Sequence, residues 1–310
     1  MIHPIPSGTR DVLPDELREL RVITDGMRAV FDERGYGEVA TPALEYEEVL
    51  TRGDPAAADP AYRLFDEHGN VLVLRSDMTI PIARVVATRY ATSEIPLRFC
   101  YLQHAYRAVR QHRGHPREIL QAGIELVGAP GPEGTAEAVS VLCAALDAAG
   151  LVSYRVGLGD AGLFGRALER AGVPEEARPK ILYELATRDL VGLERELKRA
   201  GADSELLDLA RTRGGIEVLE GVPEAEPLRA LYGGLAEDVR ERAIFDLGLV
   251  RTLGYYTGAV FEVYDAAFGA PIGGGGRYDD LLGRFGRELP ACGWALDVER
   301  VHLARLEEGR

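Results

Sequence analysis

Between residues 14 and 34 the apolar positions Leu20, Ile23, Met27, Val30 and Phe31 fall on one helical stripe. Pro14 suits a first helical turn and Gly35 supplies a stop, so an amphipathic helix is predicted there. Tyr36 to Pro42 reads as a short extended piece closed by proline, and 53–61 as a Pro- and Ala-rich loop. Strand patterns follow at 71–75, 97–107 and 118–127, then a helix at 133–149 ending at Gly150 and a strand at 152–158. Residues 166–237 change character. They contain short helical patterns, among them Leu190–Lys198 and Ser204–Ala210, and no convincing strand. β character returns at 243–250 and 256–264, followed by a glycine cluster, a short helix near 278–285, a strand at 291–297 and a final helix. The pattern predicts an α+β protein: an antiparallel sheet flanked by helices, formed by 1–165 and 238–310, with 166–237 as a helical insertion domain.

Composition narrows the class. The 310 residues carry 50 acidic and 36 basic side chains, a net charge of −14, which argues against a general nucleic-acid clamp. The insertion is also acidic, with 11 basic and 15 acidic residues. No apolar run approaches the roughly 20 residues that cross a bilayer. The start, Met-Ile-His-Pro-Ile-Pro, lacks the basic and apolar parts of a secretory signal. Cys100, Cys143 and Cys292 are odd in number and widely spaced, which suits a reducing cytoplasm.

Candidate chemistry concentrates in a few segments. On the 118–127 strand, Leu120, Ala122, Ile124 and Leu126 share a core face, while Gln121, Gly123 and Glu125 share the other. A glycine between two hydrogen-bonding side chains leaves clearance for a ligand; a solvated face is the alternative. Residues 98–117 hold Arg98, Arg107, Arg110, Arg113 and Arg117 and no acid, an anion site or else a solvated loop or subunit interface. His112 and His115 there have no carboxylate or cysteine beside them, so no metal is expected. Gly273 to Gly276 before Arg277 suits close backbone approach to an anion at a helix start, or a glycine-rich hairpin. Arg251 near Tyr255 and Tyr256 offers a guanidinium beside two phenols. No nucleophile–base pair emerges, and no cofactor motif.

Together these segments resemble class II aminoacyl-tRNA synthetases. Arg34 to Pro42 resembles motif 1, Tyr106-Arg107 through Gly128 motif 2, and Gly293 to Arg300 motif 3. Arg251-Thr-Leu-Gly-Tyr-Tyr-Thr-Gly258 and Gly274-Gly-Gly-Arg-Tyr-Asp279 resemble the two signature peptides of histidyl-tRNA synthetase. Three positions depart from that pattern: Val109 replaces a glutamate, Gly254 an aspartate and Asp297 a glycine. Only ten residues follow Arg300, so the resemblance implies no anticodon-binding domain and no tRNA partner. Leu74 to Arg84, with Asp77-Met78-Thr79, is similar to a non-catalytic offshoot of that family, the regulatory subunits of ATP phosphoribosyltransferase.

That resemblance implies a regulator rather than an enzyme, without cofactor, in the first step of histidine biosynthesis. It would be needed for activity of a short-form catalytic subunit and would transmit feedback inhibition by histidine. Asp77 and Thr79 would hold the histidine ammonium, Arg107 or Arg251 its carboxylate, and Gln121 would position it; Glu125, Tyr255 and Tyr256 would read the imidazole. Arg107, Arg113, Arg277 and Arg300 would form a vestigial nucleotide or anion site. Motif 1 implies a homodimer through 14–46, within a larger hetero-oligomer. The competing expectation is a truncated or tRNA-independent histidyl-tRNA synthetase-like enzyme that activates histidine with ATP.

Overall fold

A computed structural model of the chain describes residues 5–55, 61–108, 116–202, 204–250, 254–266 and 268–309. The first helix, α1 (Pro14–Glu33), has Pro14 at its start, Asp15 and Glu16 in its first turn, and Gly35 at φ +74° beyond its end. Its stripe (Leu20, Ile23, Met27 and Phe31) is buried in the main core, with Phe31 against Trp294 at 5.8 Å between ring centroids. Each such side chain contributes roughly 1.5–3 kcal/mol on burial. Next come β1 (Gly37–Glu38), β2 (Leu44–Tyr46), α2 (Glu47–Gly53), β3 (Arg63–Phe65), β4 (Val71–Leu74) and α3 (Thr79–Arg89). Two long strands follow, β5 (Leu97–Tyr106) and β6 (Glu118–Val127), then α4 (Glu133–Ala148) and β7 (Tyr154–Asp160). The insertion carries α5 (Leu163–Arg170), α6 (Arg178–Ala186), α7 (Leu190–Arg199), α8 (Ser204–Arg211), β8 (Arg213–Gly214), α9 (Glu226–Gly234) and α10 (Glu237–Arg242). The chain returns through β9 (Ala243–Asp246), β10 (Ala259–Asp265), β11 (Gly273–Arg277) and β12 (Ala291–Asp297) to α11 (Val298–Glu307).

Nine strands form one sheet in the order β1-β5-β6-β12-β11-β10-β7-β9-β8, and β2-β4-β3 form a small second sheet. The sheet is mixed rather than wholly antiparallel. Its six inner strands, β5 to β7 in that order, pair antiparallel, whereas β1 lies parallel to β5 and β9 parallel to β7. The physical reason is connection length: the helical insertion joins β7 to β9, and a helical crossover returns the chain in the same direction. Ala122, Ile124 and Leu126 of β6 meet α1, α4 and α11 in the main core, as their alternation predicts. Trp294 Nε1 donates to the Ala138 carbonyl of α4 at 2.9 Å and locks that layer to β12.

Three local expectations are corrected. The glycine cluster opens no helix; it is β11, which forms a hairpin with β10 in the sheet interior, where a Cβ at Gly275 would overlap the Gly293 carbonyl and Trp294. The helix near 278–285 shrinks to a 3-10 turn, Leu282–Phe285. Between β7 and β9, α5 to α8 build a separate core of Phe164, Leu168, Ile181, Leu185, Leu193 and Leu197, whereas Leu228 and Leu231 of α9 join the main core. The short β8, where no strand was expected, pairs with β9. Among the described residues no helix is long and apolar enough to cross a membrane.

Candidate functional site

Opposite the main core, the sheet floors a cavity of about 160 Å³. Cross-strand partners in an antiparallel ladder share a face. The pairings Tyr101–Gly123, Gly123–Ala295, Ala295–Gly274 and Gly274–Glu262 therefore set one row across five strands. The middle of that row is nearly free of side chains, and there the cavity opens. The glycine at 123 is not itself the opening: the Tyr101 ring lies where its Cβ would stand. Gly293 plays a similar part for Glu125, whose Oε2 fills the space of a Cβ at 293.

Of the residues singled out from the sequence, Asp77, Thr79, Arg107, Gln121, Tyr255, Tyr256 and Arg300 all line this cavity. Asp77 and Thr79 sit at the start of α3, where Asp77 Oδ1 accepts the Ile80 N–H at 3.0 Å. Thr79 Oγ1 donates to Glu125 Oε1 at 2.6 Å, and the Tyr278 hydroxyl donates to Glu125 Oε2. Glu125 is only 1% exposed and belongs to the wall behind Thr79. Tyr255 stacks between Tyr256 and Tyr278, at 4.9 and 5.7 Å between centroids. Gly276 leaves room for the Tyr256 ring.

Burial raises both acids. Desolvation pushes Glu125 up to about 8, against the lowering hydrogen bonds from Thr79 and Tyr278, and the nearby Asp77 charge adds to the rise. Asp77 is pushed up to about 6, also by desolvation first, with Arg107 opposing. Near neutral pH Glu125 keeps its proton, and Asp77, with Arg107 near it, is the carboxylate left to meet a ligand ammonium. Gln121 is buried, and its Oε1 has no hydrogen-bond partner. An orphaned buried acceptor on a cavity wall calls for a donor from the ligand.

The expected anion site is not assembled as predicted. Arg277 points away from the cavity: its Nη2 donates to the Ala129 carbonyl at 2.6 Å, and it pairs with Asp279 at 3.5 Å. Arg300 faces the cavity but is engaged. Its Nη1 donates to the Pro271 carbonyl at 2.7 Å, and its Nε lies 3.2 Å from Asp297 Oδ2. Asp297 also caps α11, with Oδ1 accepting the Glu299 and Arg300 N–H groups at 3.1 Å each. Replacing a motif-3 glycine by aspartate thus ties down the neighbouring arginine. Arg113, Arg251 and Val109 lie outside the described residues, as do Arg110, His112 and His115. Gly254 donates its N–H to the buried Asp54 Oδ2 at 3.1 Å, so a carboxylate does stand beside the paired tyrosines, supplied from 200 residues away.

Tyr278, Tyr101, Asp54 and Glu262 were not singled out as site residues from the sequence. Tyr278 was within reach, since it lies in the quoted Gly274–Asp279 peptide; Glu262 and Asp54 carried no local signal.

Fold and cavity together define a class II synthetase-like protein with a polar pocket in its sheet. A family model described as histidyl-tRNA synthetase matches residues 8–301. An ATP phosphoribosyltransferase regulatory subunit from Symbiobacterium thermophilum is 42% identical, over 98% of this chain and 80% of that relative. A crystal structure from Bacillus halodurans, titled ATP phosphoribosyltransferase regulatory subunit/histidyl-tRNA synthetase, superposes with a TM-score of 0.90 at 33% identity, covering 98% of this chain and 83% of that one. A histidine–tRNA ligase subunit from Alicyclobacillus acidocaldarius gives 0.82 at 31% identity, covering 100% and 98%. The chain belongs to the family of ATP phosphoribosyltransferase regulatory subunits, built on the histidyl-tRNA synthetase fold.

Proposed function

We propose that the chain is the regulatory partner of a short-form ATP phosphoribosyltransferase catalytic subunit and that its cavity senses histidine. The observation that carries this reading is the wall of the cavity, where Asp77, Thr79, Arg107 and the unsatisfied Gln121 Oε1 come together with Glu125 behind Thr79. An amino acid brings an ammonium for Asp77, Thr79 and Gln121 and a carboxylate for Arg107 or Arg251. Imidazole adds a ring for Tyr255 and Tyr256 and a proton-carrying nitrogen for Glu125. No covalent step is assigned to any residue of this chain. Histidine would inhibit by binding one arrangement of the complex better than the other, which is what feedback through a separate subunit requires.

The rest of the reading follows the same resemblance. The arrangement of α1 and β1 suits a homodimer through 14–46, where Leu17, Val22, Leu44 and Tyr46 are exposed apolar side chains. The catalytic subunit would extend this dimer into a hetero-oligomer in the cytoplasm, with no tRNA involved. We retain the division into 1–165 with 238–310 and the insertion 166–237 as the functional one. Arg277, held by the Ala129 carbonyl and Asp279, has no part in this ligand site. Titration of the chain with L-histidine in a calorimeter tests the reading. Saturable binding of histidine in preference to glutamine and arginine supports it. Histidine-dependent ATP–pyrophosphate exchange at a synthetase-like rate overturns it in favour of an activating enzyme.

A further inference from the structure

One side chain joins the helical insertion to the cavity. Arg188 lies between α6 and α7 and is the one non-glycine residue at positive φ, +59°, among the described residues. An L-residue is rarely held in that conformation unless its surroundings fix it. Here the backbone closes α6 locally, with the Arg188 N–H on the Leu185 carbonyl and the Asp189 N–H on the Glu184 carbonyl at 3.0 Å each, and the side chain adds a long-range contact. Arg188 Nη2 donates to Glu262 Oε2 at 2.9 Å and to the Tyr264 hydroxyl at 3.4 Å. The Tyr264 hydroxyl donates to the same Glu262 oxygen at 2.5 Å. Gly157 on the neighbouring strand leaves the space that the Tyr264 ring occupies. Glu262 in turn lines the cavity, in the row it shares with Gly274 and Ala295. The insertion also touches the main sheet elsewhere, with Val250 packed on its core and Arg213 paired with Asp246, and this contact carries it to a residue that lines the cavity.

We infer that Arg188 couples the position of the insertion to occupancy of the cavity, by holding the Glu262 carboxylate in the cavity wall. Arg188 is a positioning residue, because it acts on the ligand through Glu262. Anything that moves the turn between α6 and α7 then alters the charge and shape presented to the ligand, and the ligand fixes that turn in return. This inference rests on histidine being the cavity's ligand.

Hydrogen exchange of the chain, with and without L-histidine, tests it. Histidine should slow amide exchange across residues 183–193, which lie far from direct contact with it. The informative variant is Arg188→Gly, because glycine suits the positive φ and removes the side chain without straining the turn. In Arg188→Gly the slowing should fall roughly fivefold or more. Glu262→Gln should do the same, and Arg188→Lys should restore part of the response. Binding of histidine with unchanged exchange at 183–193, or an equal response in Arg188→Gly, overturns the coupling and leaves the ligand site standing. No histidine binding by the unsubstituted chain overturns the ligand reading and this coupling with it.

Discussion

Glu125 makes the electrostatic part of this account measurable. Its carboxyl is buried, and burial raises its pKa from the ordinary 4.5 to about 8. The native state therefore holds a proton that the unfolded chain has already released. Stability should fall as pH rises from about 4.5 and level off above 8, the reverse of a salt-bridged carboxylate. The full rise corresponds to about 5 kcal/mol, of which about 3 kcal/mol falls between pH 5.5 and 8.5. Glu125→Gln removes the titration but keeps the shape and the bond from Thr79. The amide cannot accept from the Tyr278 hydroxyl through its nitrogen, so a loss of about 1–2 kcal/mol is expected near pH 5.5. Relative to the parent, the variant should gain about 3 kcal/mol between pH 5.5 and 8.5, becoming the more stable of the two at the higher pH. Urea unfolding of both proteins at half-unit pH steps gives the difference directly. Parallel stability curves across that range would refute the assignment of a raised carboxyl at the cavity wall.

Three other substitutions probe separate parts of the structure. Gln121→Ala should weaken histidine binding about tenfold, as one charge-assisted hydrogen bond is lost, while the melting temperature without ligand stays within a few degrees; calorimetry and thermal melts read the two effects. Asp297→Ala removes the cap of α11 and should cost about 1 kcal/mol in urea unfolding. Asp297→Gly, milder as a cap, also frees Arg300, and ATP titration should show tighter binding than in the parent. Trp294→Ala opens the layer between β12, α1 and α4 and should cost about 3–5 kcal/mol, seen as a lower urea midpoint.

Much of the fold was legible because its long elements obey simple periods. The stripe on α1 and the alternation on β6 each identified the buried face correctly, down to Phe31 and Ile124. The missing parts have physical reasons. β11 consists almost wholly of glycine, whose strand state comes from neighbours that leave no room for a Cβ; nothing in Gly273 to Gly276 states that locally. The strands β2 and β3 are three residues each, too short to show a period. Motifs singled out Asp77, Thr79, Gln121 and the tyrosine pair, and these line one cavity. What stayed hidden were partners distant in sequence. Asp54 reaches Gly254, and Arg188 reaches Glu262 from another core. Such contacts depend on how the chain folds back on itself, which residue spacing does not encode.

The central claim is that this chain works by partnership and reports histidine to its partner. Its most direct test is to mix the chain with a short-form ATP phosphoribosyltransferase catalytic subunit and follow phosphoribosyl transfer with and without histidine. The account predicts activity that depends on adding the chain and is inhibited by histidine, with inhibition weakened in Glu125→Ala and Gln121→Ala while the complex still forms. A catalytic subunit that gains nothing from the chain, in the absence of any complex, would contradict it.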